Sequence, residues 1–241
     1  MRIILLSVRD TYVVIEKVNK NMSNNFVKMD ELLLPVIKDM GEIGINYIML
    51  DNLSIYNSVK DINMVSGCIL ISDESEKRFN EYIGKYGRKV FHPYSVLDNW
   101  SYLYDLKPFE LWYLEGLNKE YLNVVNRLCC KSITPKTWLP LDNLMQDYCW
   151  KTKIIDNNLG IFIPNETLQY VLLILNCVFD KKMFVDADIK RIEAVEPMVD
   201  KKMAKAFFEV EFFSFSSRLM TLLEEKKYTD IRKLYVSFSD Y

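Results

Sequence analysis

The sequence predicts an α/β or α+β N-terminal part with a small sheet, followed by a mainly α-helical C-terminal part. Two observations carry this prediction. Before residue 93, short runs of β-branched residues alternate with segments of helical periodicity. After His92 and Pro93, long segments show helical spacing, and prolines stand at or near their starts, where a missing N–H costs nothing. Strand–helix alternation followed by helices indicates two layers or two subdomains.

The composition is that of a folded chain with a sizeable core. Half of the 241 residues are hydrophobic and the formal net charge is −2, so no strong direct binding of nucleic acid is expected. The apolar stretch over residues 168–179 is too short to span a bilayer and is predicted to be a buried helix. The five cysteines show no CxxC spacing and no secretory signal precedes them. We therefore expect reduced, mostly buried thiols in a soluble cytoplasmic protein without a membrane segment.

The first part of the chain supplies the predicted sheet. Residues 2–8 and 11–18 fit a hairpin, and a helix over residues 26–40 is expected to end at Gly41. Short strands are predicted at 45–50, 65–71 and 89–91. Between the last two, Asp73 and Glu76 have the spacing of a capping box, which predicts a helix with Phe79, Tyr82 and Ile83 on one face.

The second part is predicted to be helical over residues 94–106, 108–130, 140–151 and 165–180. We place a boundary near residue 93, with an α/β subdomain over 1–93 and a mainly helical subdomain over 94–241. No flexible linker marks that boundary, so a single mixed domain is the alternative.

The segment 197–227 carries two apolar stripes at helical spacing, which predict one long helix. The second stripe contains Phe208, Phe212, Phe215, Leu219 and Leu222. A strand over residues 207–215 is the competing interpretation, because Phe208, Val210 and Phe212 alternate with two glutamates.

One cluster of titratable residues is expected from position. If the strands at 45–50, 65–71 and 89–91 are parallel, then Asp51, Asp73 and His92 follow their carboxyl ends, where ligands of open α/β sheets bind. These three are the weak candidates for catalysis. The alternative gives them turn and capping roles only.

A second, weaker candidate is a metal site. Asp186, Asp188 and Lys190 would share one face of a strand and hold a divalent cation. Asp186 is an equally good first residue for a helix through Ala194. No other metal or cofactor site is indicated, and we expect no cofactor.

The aromatic residues suggest a protein partner or self-association. Trp100 and Trp112 lie in an aromatic segment with few basic neighbours, and the stripe of Phe208, Phe212, Phe215 and Leu219 exceeds what one core face needs. These six residues are the predicted partner interface.

The leading functional prediction is a non-enzymatic interaction protein, such as an accessory subunit, an inhibitor or an immunity-type protein of a larger complex. It depends on the lack of catalytic motifs, the near-zero net charge and the excess aromatics. The alternative is an α/β ligand-binding or hydrolytic protein, nucleotide- or metal-dependent, that uses the strand-end cluster.

Overall fold

A computed structural model describes residues 29–50, 67–90, 110–114, 121–131, 138–212, 215–231 and 234. Several of the sequence predictions lie outside these residues. They are the hairpin within 2–18, the helix over 94–106, and the side chains of Asp51, His92 and Trp100.

The described strands are short, and most of the helices follow them in the chain. The strands are β1 (Tyr47–Met49), β2 (Gly67–Ile71), β3 (Gly87–Val90), β4 (Glu110–Leu114), β5 (Tyr121–Val125), β6 (Cys129–Lys131), β7 (Trp138–Pro140), β8 (Ile154–Ile155) and β9 (Phe162–Ile163). The helices are α1 (Met29–Glu42), α2 (Glu76–Ile83), α3 (Asn143–Thr152), α4 (Glu166–Leu175), α5 (Asp186–Val195), α6 (Lys201–Phe212), α7 (Ser216–Glu224) and α8 (Tyr228–Ile231).

The main sheet has five strands in the order β1-β2-β5-β4-β3. Strands β2 and β5 are parallel, and every other neighbouring pair is antiparallel. Two two-stranded sheets, β6–β7 and β8–β9, follow. A small mixed sheet followed by a mostly helical remainder confirms the predicted fold class.

The predicted helix over residues 108–130 is wrong, because β4, β5 and β6 occupy that range. Successive side chains of β5 point to opposite faces of the sheet, as they do in a strand and not in a helix. Leu122 and Val124 pack with one core of the protein and Val125 with the other. A segment buried from both sides of a sheet shows a nearly continuous apolar run, which also fits a buried helix.

This sheet draws strands from both sides of residue 93, since β1, β2 and β3 precede it and β4 and β5 follow it. The division of the chain at residue 93 stays a prediction.

Two hydrophobic cores lie on opposite faces of the main sheet. One contains side chains of α1, α2 and the β8–β9 hairpin, together with Tyr47, Ile69 and Val124. The other contains side chains of α3 to α8, together with Ile48, Leu70 and Val125. Alternate residues of the same strands therefore enter different cores, as the pleat of a sheet requires.

The ends of α1 and α2 differ from the sequence prediction. Helix α1 continues through Gly41 to Glu42, and Gly44 is the residue with the left-handed backbone, at φ 74°. A 3₁₀ turn (Asp73–Ser75) precedes α2, and no side-chain cap is made by Ser72 or Ser75. The hydroxyl of Ser75 instead accepts a hydrogen bond from the Asn46 N–H at 3.0 Å, which ties this turn to β1. The predicted apolar face of α2 is confirmed, since Phe79, Tyr82 and Ile83 are buried.

The apolar stretch over 168–179 is helical and largely buried, as predicted. Helix α4 ends in a π-helical turn (Asn176–Asp180). The single long helix predicted over 197–227 is wrong, because this range holds α6 and α7 as separate helices. The strand alternative fails as well, since Phe207 to Phe212 belong to α6.

Within the described ranges, every helix is too short or too polar to cross a lipid bilayer.

Candidate functional site

The sheet face that points toward the helical part carries two rows of side chains. The first row, Ile48, Leu70 and Val125, is at most 3% exposed, and we call it the buried row. The second row, Leu50, Cys68 and Asn123, is only partly buried, and we call it the partly exposed row. The strand register joins the members of each row: Leu70 pairs with Val125 and Cys68 with Asn123.

The helical part therefore covers this sheet face unevenly. Leu50 and Cys68 contact the large core at its edge, whereas Leu70 and Val125 lie inside it. The N–H of Leu50 donates to the carbonyl oxygen of Cys68 at 2.8 Å, which keeps the row continuous from β1 to β2. The sheet face thus becomes accessible along the partly exposed row, on the side of the amino ends of β2 and β5.

Asn123 is the unusual member of this row. It stands in the middle of β5, which lies between β2 and β4 in the sheet. Asparagine is depleted in strands, and a polar side chain directed toward a core needs hydrogen-bond partners. Asn123 has an interaction within the chain and brings one polar side chain to the partly exposed row. Sequence reasoning missed it, although one polar residue inside the run Tyr-Leu-Asn-Val-Val was a visible signal.

The predicted strand-end cluster required parallel strands, and β1 does not meet this condition. Because β1 and β2 are antiparallel, the carboxyl end of β1 lies beside the amino end of β2. Asp73 is exposed in the turn that follows the carboxyl end of β2. Asp51 follows Leu50 in sequence, beyond the carboxyl end of β1. The sheet therefore does not bring the ends of β1 and β2 together in the way that the hypothesis required.

A different polar group, Lys153, lies beside the carboxyl end of β2. Its ammonium donates to the Asn46 side-chain oxygen and to the carbonyl oxygen of Tyr47, and it lies 4.1 Å from the centroid of the Phe162 ring. Burial lowers the pKa of Lys153, and the nearby Cys149 opposes that effect. These contacts connect the residues after α3 to β1 and to the β8–β9 hairpin, so the geometry gives Lys153 a structural role.

The predicted metal pair lacks the strand on which the metal hypothesis depended. Asp186 and Asp188 lie on helix α5, not on a strand, so their side chains point in different directions. Asp186 is exposed, whereas Asp188 is 1% exposed and accepts an ion-paired hydrogen bond from Lys181 at 2.7 Å. The buried Arg191 lies 3.8 Å from the same carboxylate oxygen. Asp188 is thus the centre of a buried ion cluster.

Of the six residues of the predicted partner interface, the five that the structure describes pack in the cores of the chain, and Trp100 lies outside the described residues. Phe208 and Leu219 are fully buried, and Phe212 is 8% exposed. Phe212 stacks on Phe179 with ring centroids 5.2 Å apart. Phe215 packs against the same core. The buried Trp112 makes an edge-on contact with Phe79 in the core on the other side of the sheet. These five aromatic and aliphatic side chains therefore pack in two cores on opposite faces of one sheet.

No protein-family description and no curated protein sequence matches the chain. Among solved structures, it is similar to the lincosamide antibiotic adenylyltransferase LnuA bound to lincomycin, with 10% identity, a TM-score of 0.45, and coverage of 73% of this chain and 100% of that one. It is also similar to the antibiotic-resistance factor ANT(2'')-Ia, with 8% identity, a TM-score of 0.49, and coverage of 83% and 99%. A third is a Thermotoga maritima protein assigned provisionally to the nucleotidyltransferases, with 13% identity, a TM-score of 0.36, and coverage of 58% and 80%.

The leading functional prediction is corrected by these findings. The structures similar to this chain include nucleotidyltransferases. The aromatic stripe that motivated a partner surface is buried within the chain itself. The alternative, a hydrolytic or ligand-binding strand-end cluster, stays a prediction: β1 runs antiparallel to β2, contrary to its assumption, and Asp51 and His92 lie outside the described residues.

Proposed function

We propose that this chain is an enzyme that binds a nucleotide against the partly exposed row of Leu50, Cys68 and Asn123. The observation that carries the proposal is the burial pattern of the sheet face. Ile48, Leu70 and Val125 are sealed by the helical part, while the neighbouring row is accessible and contains an amide in a central strand. An apolar surface with one well-placed polar group is the usual composition of a small-molecule site.

Nucleoside triphosphates are the first ligands to test, and nucleotidyl transfer is the first reaction. The names of the similar structures determine only this choice of probes. The two rows support the location of the proposed site independently of those structures.

The experiment titrates ATP, GTP, CTP and UTP into the protein by calorimetry in the presence of Mg²⁺. At least one triphosphate is expected to bind, and Asn123→Leu should weaken its binding about tenfold or more, because a lost amide pair costs roughly 1–3 kcal/mol. The matched control is Asn126→Leu, since Asn126 is also partly buried but lies just beyond β5. This control should retain wild-type affinity.

Turnover is measured as pyrophosphate released from the bound triphosphate, with hydroxyl-bearing antibiotics such as lincomycin as acceptors. Release that depends on Asn123 supports the proposal. Failure of all four triphosphates to bind would refute the site, and binding without any pyrophosphate release would refute the enzymatic assignment.

A further inference from the structure

Five residues, 181–185, connect the π-helical turn to α5, and we call this segment the strap. The side chains of Lys181, Lys182, Met183 and Val185 are exposed. Lys182 also has a left-handed backbone, at φ 57°, which is strained for a residue with a Cβ atom. Exposed connections with few buried contacts open locally at a lower free energy than the helices beside them. The contacts that hold the strap therefore decide how readily it opens.

A hydrogen bond, an apolar contact and an ion pair hold the strap. The Met183 N–H donates to the carbonyl oxygen of Cys177 at 2.9 Å, and Phe184 packs against the large core. The Lys181 ammonium donates to Asp188 Oδ1 at 2.7 Å. The ion pair is the contact that involves a buried charge. Opening the strap takes Lys181 away from a buried carboxylate, which is costly unless another cation replaces it.

Arg191 is a second cation beside the same carboxylate. It lies one turn after Asp188 on α5, so the two side chains share one face of the helix. Its Nη1 atom is 3.8 Å from Asp188 Oδ1, which is too long for a hydrogen bond. Among the described residues, neither the buried Arg191 Nε nor the buried Asp188 Oδ2 has a hydrogen-bond partner. Because Nε is a charged donor and Oδ2 a charged acceptor, a bond between them would satisfy both atoms and replace the charge that Lys181 supplies.

We propose that Arg191 is the reserve counter-ion of Asp188, and that the strap opens by exchange of Lys181 for Arg191. In the closed strap Asp188 is paired with Lys181. In the open strap Lys181 enters water, and Arg191 Nε donates to Asp188 Oδ2. The carboxylate stays ionised, buried and paired in both arrangements, so the strap opens without unfolding α5. This inference is independent of the proposed nucleotide site.

Amide hydrogen exchange at Met183, followed by NMR, tests this proposal, because the Met183 N–H is bonded to Cys177 while the strap is closed. Lys181→Met should speed this exchange about tenfold or more, since the closed strap loses its ion pair. Arg191→Met should slow it by about the same factor, since opening would then leave Asp188 buried without a cation. The two substitutions therefore change the exchange rate in opposite directions.

The matched control is Lys190→Met, which removes an exposed lysine from α5 and should leave the exchange rate at Met183 unchanged. Unchanged or faster exchange in Arg191→Met would overturn the proposal, because loss of an arginine that only stabilises the fold lets the strap open more often. Unchanged exchange in Lys181→Met would overturn it too. A crystal structure of Lys181→Met gives a second result that does not depend on Arg191→Met folding. Arg191 Nε is expected within about 3.2 Å of Asp188 Oδ2, and a separation above about 4 Å would contradict the exchange of partners.

Discussion

Asp188 shows how burial decides the role of a charged residue. Its carboxylate is 1% exposed and lies between Lys181, at 2.7 Å, and Arg191, at 3.8 Å. One carboxylate oxygen and the Nε of Arg191 are buried without a hydrogen-bond partner among the described residues. The adjacent Cys177 is buried too, and burial raises the pKa of its thiol to about 12. Removing the Asp188 charge would leave Arg191 as a buried cation without its counter-ion.

We therefore expect Asp188→Asn to lower the free energy of unfolding by about 3 kcal/mol, the lower end of the range for breaking a buried pair, because Lys181 is exposed. Asp186→Asn, on the exposed side of the same helix, should change it by less than about 0.5 kcal/mol. Urea unfolding of both variants measures the difference. Equal stabilities would contradict the buried cluster, and stabilisation of the wild type by added Mg²⁺ would reopen the metal interpretation.

Single residues were also where sequence reasoning failed most often. The string Asp186, Asp188, Lys190 suggests a metal site only if it is a strand, and nothing in three residues fixes that choice. Gly41 has the residue type of a helix end, but Gly44, three residues later, takes the left-handed backbone. Asn123 was overlooked because its meaning depends on the strands beside it, which no local pattern reveals.

Among the elements, helix α6 shows that an apolar stripe can be predicted correctly while the surface that covers it is predicted wrongly. The sequence predicts that the stripe through Phe208 and Phe212 is helical, which the structure confirms, and that it forms a partner surface. Other residues of the same chain cover this stripe: the Phe208 ring contacts Tyr170 of α4, and Phe212 contacts Phe179. A helix with more than one apolar face can simply lie between other helices of its own chain.

Phe208→Ala should therefore lower the free energy of unfolding by about 3–5 kcal/mol, the usual cost of a large cavity in a core. Glu209→Ala, the exposed neighbour on the same helix, should cost less than about 0.5 kcal/mol. Thermal and urea unfolding give both values. A Phe208→Ala protein of native stability that had lost a binding partner would restore the interface hypothesis.

The elements with regular amphipathic patterns were predictable, and the central strands were not. Helices α1, α2, α3 and α4 fall where helical spacing was found, with ends shifted by a few residues. The sequence predicts one helix where β4 and β5 lie, because a strand with apolar side chains on both faces shows no alternation of apolar and polar residues. Their pairing with β2 and β3 is a long-range property, which a single sequence does not display.

At the scale of the whole molecule, one sheet separates two cores, and each core is closed by helices. Both faces of the sheet must be filled, and the described aromatic residues fill them. This arrangement explains the distribution of the thiols. Cys130, Cys149 and Cys177 are buried, whereas Cys68 and Cys129 are partly exposed on different sheets. Burial raises the pKa of the Cys149 thiol to about 12, which further slows its alkylation.

Differential alkylation tests the location of the nucleotide site most directly, because the chain carries its own control. The native protein is treated with iodoacetamide with and without saturating ATP, GTP, CTP or UTP, and labelling of each cysteine is followed by peptide mass spectrometry. A bound nucleotide at the partly exposed row should slow labelling of Cys68 about tenfold or more and leave Cys129 unchanged, while the three buried thiols react only after unfolding. Labelling of Cys68 at the same rate with a triphosphate shown to bind would place the nucleotide elsewhere and contradict the account.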